Sequence, residues 1–277
     1  MTRLAVVGLG LIGGSAASAA RRAGMTVIGY DAELGHGKAA LERGLVDELA
    51  GSIEEAAQCA DIVLLAAPVL AIASSLPEVD ITAPPGALIL DAGSAKLAIV
   101  NTMASLPGAE RMVGGHPLAG SERSGPEAAD SHLFEGRVWV LTGNAHTSEH
   151  SMERAVGFVS LLGARSVCVD AETHDRALAH TSHLPQLIAT ALVLAGRDQP
   201  VQLTGPAYAA MTRIAGSDPN LWREILESNR EEIVPALAAF STVIDSMLVD
   251  LSAGNVDALV ERIEEGRSSM RIGSLPV

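Results

Sequence analysis

Aromatic side chains are scarce in this chain of 277 residues: Phe, Tyr and Trp together make up 3%, against 48% hydrophobic residues overall. The core must therefore be aliphatic, a composition that suits buried helices and parallel strands. Cysteine is almost absent, and Cys59 and Cys168 have neither metal nor redox spacing. That argues against a disulfide scaffold or a thiolate metal site and fits a reducing compartment. Lysine is nearly missing too, Lys38 and Lys96 being the only two. With a formal net charge of −14, the chain has no electrostatic attraction to nucleic acid or to an anionic membrane. Residues 187–195 are apolar but too short to span a bilayer, and no other segment reads as a span. An uncharged run from Leu4 to Ala20 behind Arg3 superficially matches a signal peptide. Its four glycines speak against a helical apolar segment and for a strand followed by a turn. These absences lead us to expect a cytoplasmic protein whose ligands are small molecules.

What is present begins with that glycine-rich stretch. Residues 4–7 read as a short strand entering Gly8-Leu9-Gly10-Leu11-Ile12-Gly13, and an Ala-rich helix follows. In this pattern the first glycine allows a tight turn, the second lets a pyrophosphate approach the backbone, and the third lets helix and strand pack closely. A second strand over residues 26–30 ends in Asp31, 18 residues beyond Gly13. A carboxylate there accepts hydrogen bonds from ribose hydroxyls and repels a 2′-phosphate, so NAD is favoured over NADP. Ala32 and Glu33, where an arginine would serve NADP, agree. Gly8, Gly10, Leu11, Ile12, Gly13 and Asp31 are thus the expected cofactor contacts, together with Ala67 and Pro68 at the end of the apolar strand 61–68.

Residues 34–60 read as helical, interrupted at Gly44 and Gly51, with a short helix over 53–60. Further strands are expected at 87–91, 111–113, 137–142 and 165–169. The strand ending at Asp91 delivers Ser94 and Lys96; the next delivers His116, within Gly115-His116-Pro117. Ligands of an open parallel sheet sit at the carboxyl ends of its strands, so His116 falls where chemistry is expected. Ser94 is a candidate to hydrogen-bond and orient it, the bland alternatives being a helix cap for Ser94 and a solvated Lys96. Residues 121–136 read as a loop over a site. From residue 171 onward no strand is evident, only helical spacing over 173–182, 187–197, 208–215, 219–229, 232–252 and 255–263. Asp218-Pro219 has the form of a helix cap followed by proline in the first turn. The segment 233–251 is too apolar for a solvated surface helix and is expected to bury itself against a second subunit. The fold class is therefore an α/β N-terminal Rossmann-like domain with a mostly parallel sheet over residues 1–170, followed by an all-α substrate and dimerisation domain over 171–277. His174, His180 and His183 have no convincing metal spacing, and no metal is expected.

Together the motifs resemble the prephenate/arogenate dehydrogenase family of tyrosine biosynthesis. The resemblance rests on residues 8–15, Asp91-Ala92-Gly93-Ser94-Ala95-Lys96, residues 115–122, Thr181-Ser182-His183-Leu184-Pro185 and residues 212–219. It implies that His116 is catalytic, that Ser94 orients it and that Arg213 binds a substrate carboxylate. It further implies substrate contacts from Ser121, from Glu122 as an acidic gate, from the helical-domain His174, and from Trp222 reaching in from a partner subunit. Two departures stand out: Ala95 where many members have valine, and Gln186 where many prephenate users have a second histidine. Gln186 would then face the substrate side chain and bear on its choice.

The implied reaction needs little from a protein. NAD⁺ takes a hydride from C4 of a cyclohexadienol, the ring carboxylate leaves as CO₂, and aromatisation drives the step. A neutral imidazole suits the hydroxyl, and a guanidinium grips a carboxylate through two parallel hydrogen bonds. The expectation is an NAD-dependent homodimeric oxidoreductase converting prephenate to 4-hydroxyphenylpyruvate. L-arogenate is the alternative substrate; another two-domain NAD(P) oxidoreductase and a non-catalytic NAD sensor are the remaining rivals.

Overall fold

The computed structural model describes residues 1–121 and 123–269, which form two compact units, Met1–Arg230 and the segment from Glu231 onward. The first is built on one eight-stranded sheet. Its strands are β1 (Arg3–Val7), β2 (Thr26–Tyr30), β3 (Glu48–Leu49), β4 (Ile62–Leu65), β5 (Leu88–Asp91), β6 (Met112–Pro117), β7 (Val138–Gly143) and β8 (Arg165–Cys168). They lie in the order β3-β2-β1-β4-β5-β6-β7-β8. Every neighbouring pair is parallel except β6 and β7. The chain order reverses beside β1, the place where a doubly wound sheet opens a crevice.

Each central strand feeds both faces, because successive side chains point opposite ways. Leu4, Val6 and Leu64 pack with α1 (Leu11–Arg22), α2 (Leu34–Glu42) and α6 (Glu149–Leu161), where Phe134, Trp139 and Phe158 also lie. Ala5, Val7, Val63 and Leu65 pack with α3 (Ile53–Ala57), α4 (Val69–Thr82) and α5 (Leu97–Ala104). The second layer contains no aromatic residue among its buried members and depends on close aliphatic packing.

Helices continue as α7 (Ala171–Leu178), a π-turn at Ala179–His183, α8 (Leu184–Gly196), α9 (Pro206–Thr212), a 3₁₀ turn at Arg213–Gly216 and α10 (Pro219–Ser228). Asp218 caps α10 by accepting from the Asn220 amide at 2.9 Å, with Pro219 in the first turn as its sequence suggests. The second unit consists of α11 (Arg230–Ser252, its first residue belonging to the first unit) and α12 (Val256–Ser269). Arg262 joins Asp250 at 3.2 Å, fastening α12 to α11.

Four features differ from the sequence reading. A two-residue edge strand, β3, divides the segment read as interrupted helix, because its backbone pairs with β2. Helix α4 contains Pro77 in its interior, which masks its helical character in sequence but leaves the buried stripe Val69, Ile72, Leu76 and Val79 intact. Strand β6 does not stop at Val113: antiparallel pairing with β7 carries it through His116, which lies opposite Val140. Finally, α11 is a 23-residue helix with an 18-residue window of mean hydropathy 1.6, long and apolar enough to cross a membrane by length and composition, contrary to the expectation that no segment is.

Candidate functional site

The glycine turn after β1 has three glycines with three different reasons. Gly8 sits at φ +93°, and a Cβ there would lie 2.5 Å from the Ala66 carbonyl oxygen. A Cβ on Gly13 would come within 1.8 Å of the Gly8 carbonyl oxygen, so helix α1 could not pack onto the turn. A Cβ on Gly10 would meet nothing within 4 Å. Nothing inside the protein requires Gly10 to be bare; a ligand drawn against this backbone would. Helix α1 starts at that residue with no side-chain cap and no acid in its first turn. Its first amides are therefore directed at whatever approaches, the arrangement that binds a pyrophosphate.

Asp31 stands at the end of β2 with its side chain 11% exposed. Its two oxygens accept from the Leu9 amide at 2.7 Å and the Glu33 amide at 2.8 Å. These bonds hold the carboxylate beside the turn and leave lone pairs for a ribose. Leu11 and Ile12 form the half-buried first turn of α1. Ala67 is half-buried and Pro68 is the exposed residue that begins α4. Glu224 of α10 also reaches the Val69 amide at this edge, and burial raises its pKa.

His116 lies near the carboxyl end of β6, half-buried. Its Nδ1 is 2.9 Å from Nε2 of His174 on α7, with the rings edge to face at 5.1 Å. His174 Nδ1 in turn lies 2.6 Å from Oδ1 of Asp175. Burial holds the His116 pKa well below the ordinary histidine value, reinforced by His174, Lys96 and His183 around it. It is thus a neutral base near neutral pH.

The partner of His116 is His174 and not Ser94. Among the described residues Ser94, half-buried, has no hydrogen bond to the ring. Nor does Ser94 cap α5: the N-cap position of that helix is Lys96, and the Asp175 carboxylate accepts from the Lys96 and Leu97 amides at 2.8 and 2.9 Å. His174, expected at the substrate, is 2% exposed with both ring nitrogens engaged. Its reach is to His116. Lys96 is not solvated. It is fully buried, paired with Asp91, and donates to the Gly115 carbonyl at 2.6 Å. Burial lowers its pKa while Asp91 opposes the shift. Asp91 also accepts from the Gly115 and Gly93 amides at 2.9 and 2.7 Å, so the pair clamps the residue immediately before His116.

The helical residues gather more loosely. His183 is 1% exposed, its Nδ1 lies 3.1 Å from the Asn229 amide nitrogen, and burial lowers its pKa to about 4. Trp222 packs edge-on to His183 of the same chain, ring centroids 5.9 Å apart, and its buried indole Nε1 has no partner among the described residues. Gln186 is buried, with Oε1 3.5 Å from Ser217 Oγ. Arg213 is exposed on the 3₁₀ turn and forms no ion pair among the described residues. Ser121 is exposed and bonds locally to Arg123; Glu122 lies outside the described residues. The following loop is tied to α1 by the Asp130 amide, which donates to Ser15 Oγ at 2.9 Å. Sequence reasoning missed Asp91, Asp175 and Asn229. An acid ending an otherwise apolar strand, and an acid directly after His174, are the signals that pointed to the first two.

This geometry has counterparts. Residues 16–168 match the nucleotide-binding domain of prephenate dehydrogenase, and residues 170–265 match its dimerization domain. A cyclohexadienyl dehydrogenase from Zymomonas mobilis is 31% identical, with 96% of this chain and 94% of that protein covered. A prephenate dehydrogenase from Lactococcus lactis is 32% identical over the whole of this chain and 80% of its own. Among solved structures, prephenate dehydrogenase from Aquifex aeolicus, in complex with hydroxyphenyl propionate and NAD⁺, superposes with a TM-score of 0.88 at 29% identity, covering 96% of both chains. Synechocystis arogenate dehydrogenase gives 0.80 at 26% identity, covering 96% of this chain and 98% of its own. Matched in order along its length and aligned nearly end to end with these relatives, the chain belongs to the prephenate dehydrogenase family.

Proposed function

We propose that this NAD-dependent dehydrogenase converts prephenate to 4-hydroxyphenylpyruvate and CO₂, with His116 as the acceptor for the substrate hydroxyl. The observation that carries the reading is the neutral His116 ring at the carboxyl edge of the sheet, its Nδ1 already bonded and its Nε2 left to face a substrate. Gly10 and the uncapped start of α1 would hold the pyrophosphate, Asp31 the ribose, and Ala67 and Pro68 the neighbouring wall. NAD⁺ supplies a two-electron acceptor for the hydride released from C4.

The side chains do the remaining work. His116 Nε2 accepts the C4 hydroxyl proton as carbonyl character grows on that oxygen. The bond from the ring to its carboxylate breaks, CO₂ departs, and the bonding pair completes the aromatic ring. The oxygen then recovers the proton from His116 as a phenol, so no proton is lost overall. Arg213, exposed and forming no ion pair among the described residues, serves as the grip on a substrate carboxylate, and Ser121 and Glu122 are assigned as further substrate contacts on the family resemblance. Ser94 retains its assignment as an orienting residue for His116 on the family resemblance, acting once a ligand is bound. The substrate and dimerisation domain begins near residue 171.

A second reading, L-arogenate as substrate, is favoured by Gln186. Its buried amide can accept from an ammonium group, which arogenate carries and prephenate does not. We further infer a cytoplasmic homodimer. The apolar face of α11 is then covered by the partner subunit and not by lipid, since the matched dimerization domain includes it. The deciding experiment is His116→Asn, with NAD⁺ binding and turnover followed separately. Turnover should fall by about 10³-fold or more with NAD⁺ affinity kept. Unchanged turnover removes His116 from the mechanism.

A further inference from the structure

The Asp175–His174–His116 line does more than fill space: with His174 neutral, its hydrogen bonds can run in one direction only. Asp175 is 1% exposed, and its carboxylate accepts from two backbone amides, Lys96 and Leu97. A carboxylate that receives two amide N–H groups acts as an acceptor here. The proton between it and His174, 2.6 Å away, therefore sits on His174 Nδ1. In a neutral ring that leaves His174 Nε2 as an acceptor. The contact at 2.9 Å must then be donated by His116 Nδ1, and the lone pair of His116 falls on Nε2. The other tautomer of His116 would set two lone pairs against each other in a buried site.

We propose that His174 and Asp175 are positioning residues for the base: they lock His116 in its Nδ1–H tautomer and stabilise the cation formed when its Nε2 takes a proton. The inference rests on the reading of His116 given above. The other charged and titratable groups around the ring offer no substitute. Lys96 is cationic and opposes a second positive charge, and its counter-ion Asp91 is spent on it and on the Gly115 and Gly93 amides. His183 is neutral, with Nδ1 accepting from Asn229. Among the described residues Asp175 is the one acid directed at His116, and it acts through His174. It also fixes the start of α5, so the helix that follows β8 governs both the base and the end of a neighbouring sheet helix.

The tautomer can be read without turnover. In protein labelled with ¹⁵N in its histidine rings, the His116 signals, assigned by loss in His116→Asn, should show a protonated Nδ1 and a bare Nε2. In His174→Leu that preference should vanish, while His174→Gln, whose amide oxygen can still accept from Nδ1, should keep it. In turnover we expect kcat to fall about 100-fold in His174→Leu and about 10-fold in His174→Gln, with the acid limb of the kcat profile displaced in both and the KM for NAD⁺ within twofold of the parent. An Nε2–H tautomer in the parent protein would overturn the proposal. So would His174→Leu that folds and keeps the parent kcat and pH profile. If His116→Asn retained turnover while the tautomer was as described, the functional reading would fail and the structural relay would stand.

Discussion

Lys96 Nζ bridges the carboxylate of Asp91 and the carbonyl of Gly115, joining the end of β5 to the residue before His116 with no exposed surface on either side chain. Buried pairs of this kind add little net stability but are costly to break, because one charge is left without a partner. Lys96→Met should destabilise the protein by about 3–5 kcal/mol. Lys96→Met combined with Asp91→Leu should recover part of that loss, leaving the Gly115 and Gly93 amides as the residual cost. Denaturant midpoints of the two variants and the parent check this; a double variant less stable than Lys96→Met would contradict it.

Gly10 and Gly13 should separate binding from folding. Gly13→Ala places a methyl 1.8 Å from the Gly8 carbonyl oxygen and should lower Tm substantially. Gly10→Ala meets no protein atom, and its backbone at φ −69°, ψ −160° suits alanine, so Tm should hold. Its methyl would instead occupy the approach to the pyrophosphate, raising the Kd for NAD⁺ by about tenfold or more, about 1.4 kcal/mol. Calorimetric titration and thermal melts of both variants decide the matter.

His183 should make the fold acid-sensitive. Unfolded, a histidine takes up its proton near pH 6.5, whereas the buried His183 does so at about 4. Between these values the unfolded chain binds more protons, so lowering the pH favours unfolding. The loss builds as pH falls through that window and reaches at most about 3 kcal/mol at its lower end. His183→Gln, which can still meet Asn229, should flatten the fall in stability between pH 6.5 and 4, measured by urea unfolding.

Helix α11 exposes Val234, Val243, Leu248 and Val249, and α12 exposes Val260 and Ile263. A partner covering them predicts a dimer by sedimentation equilibrium. Leu248→Glu should shift that equilibrium toward monomer and lower Tm at a given concentration. A parent protein that is monomeric at micromolar concentration would contradict the assignment.

The sheet, the glycine turn and Asp31 were legible because each depends on local signals: alternating or continuous apolar runs, glycine spacing, an acid at a strand end. His116 was legible for the same reason, as a histidine between glycines at the sheet's carboxyl edge. What escaped depends on contacts far along the chain. Nothing near Lys96 indicates that it is buried against Asp91, and nothing near Leu97 indicates that its cap comes from Asp175. The pairing of β6 with β7, which carries the strand past His116, is likewise set by residues about 25 positions away. Asn229 was invisible because its partners, His183 and the Asp175 carbonyl, come from earlier helices. Helix α4 was obscured by Pro77, a residue that local propensity rightly counts against a helix and that the buried stripe beneath it overrides.

The central claim is tested most directly by initial rates of reduced-cofactor formation with prephenate and with L-arogenate, each with NAD⁺ and with NADP⁺. The account predicts turnover of prephenate with NAD⁺, and a rate with NADP⁺ lower by at least tenfold, which Asp31→Ser should narrow. No turnover of either substrate by folded protein that binds NAD⁺ would contradict it.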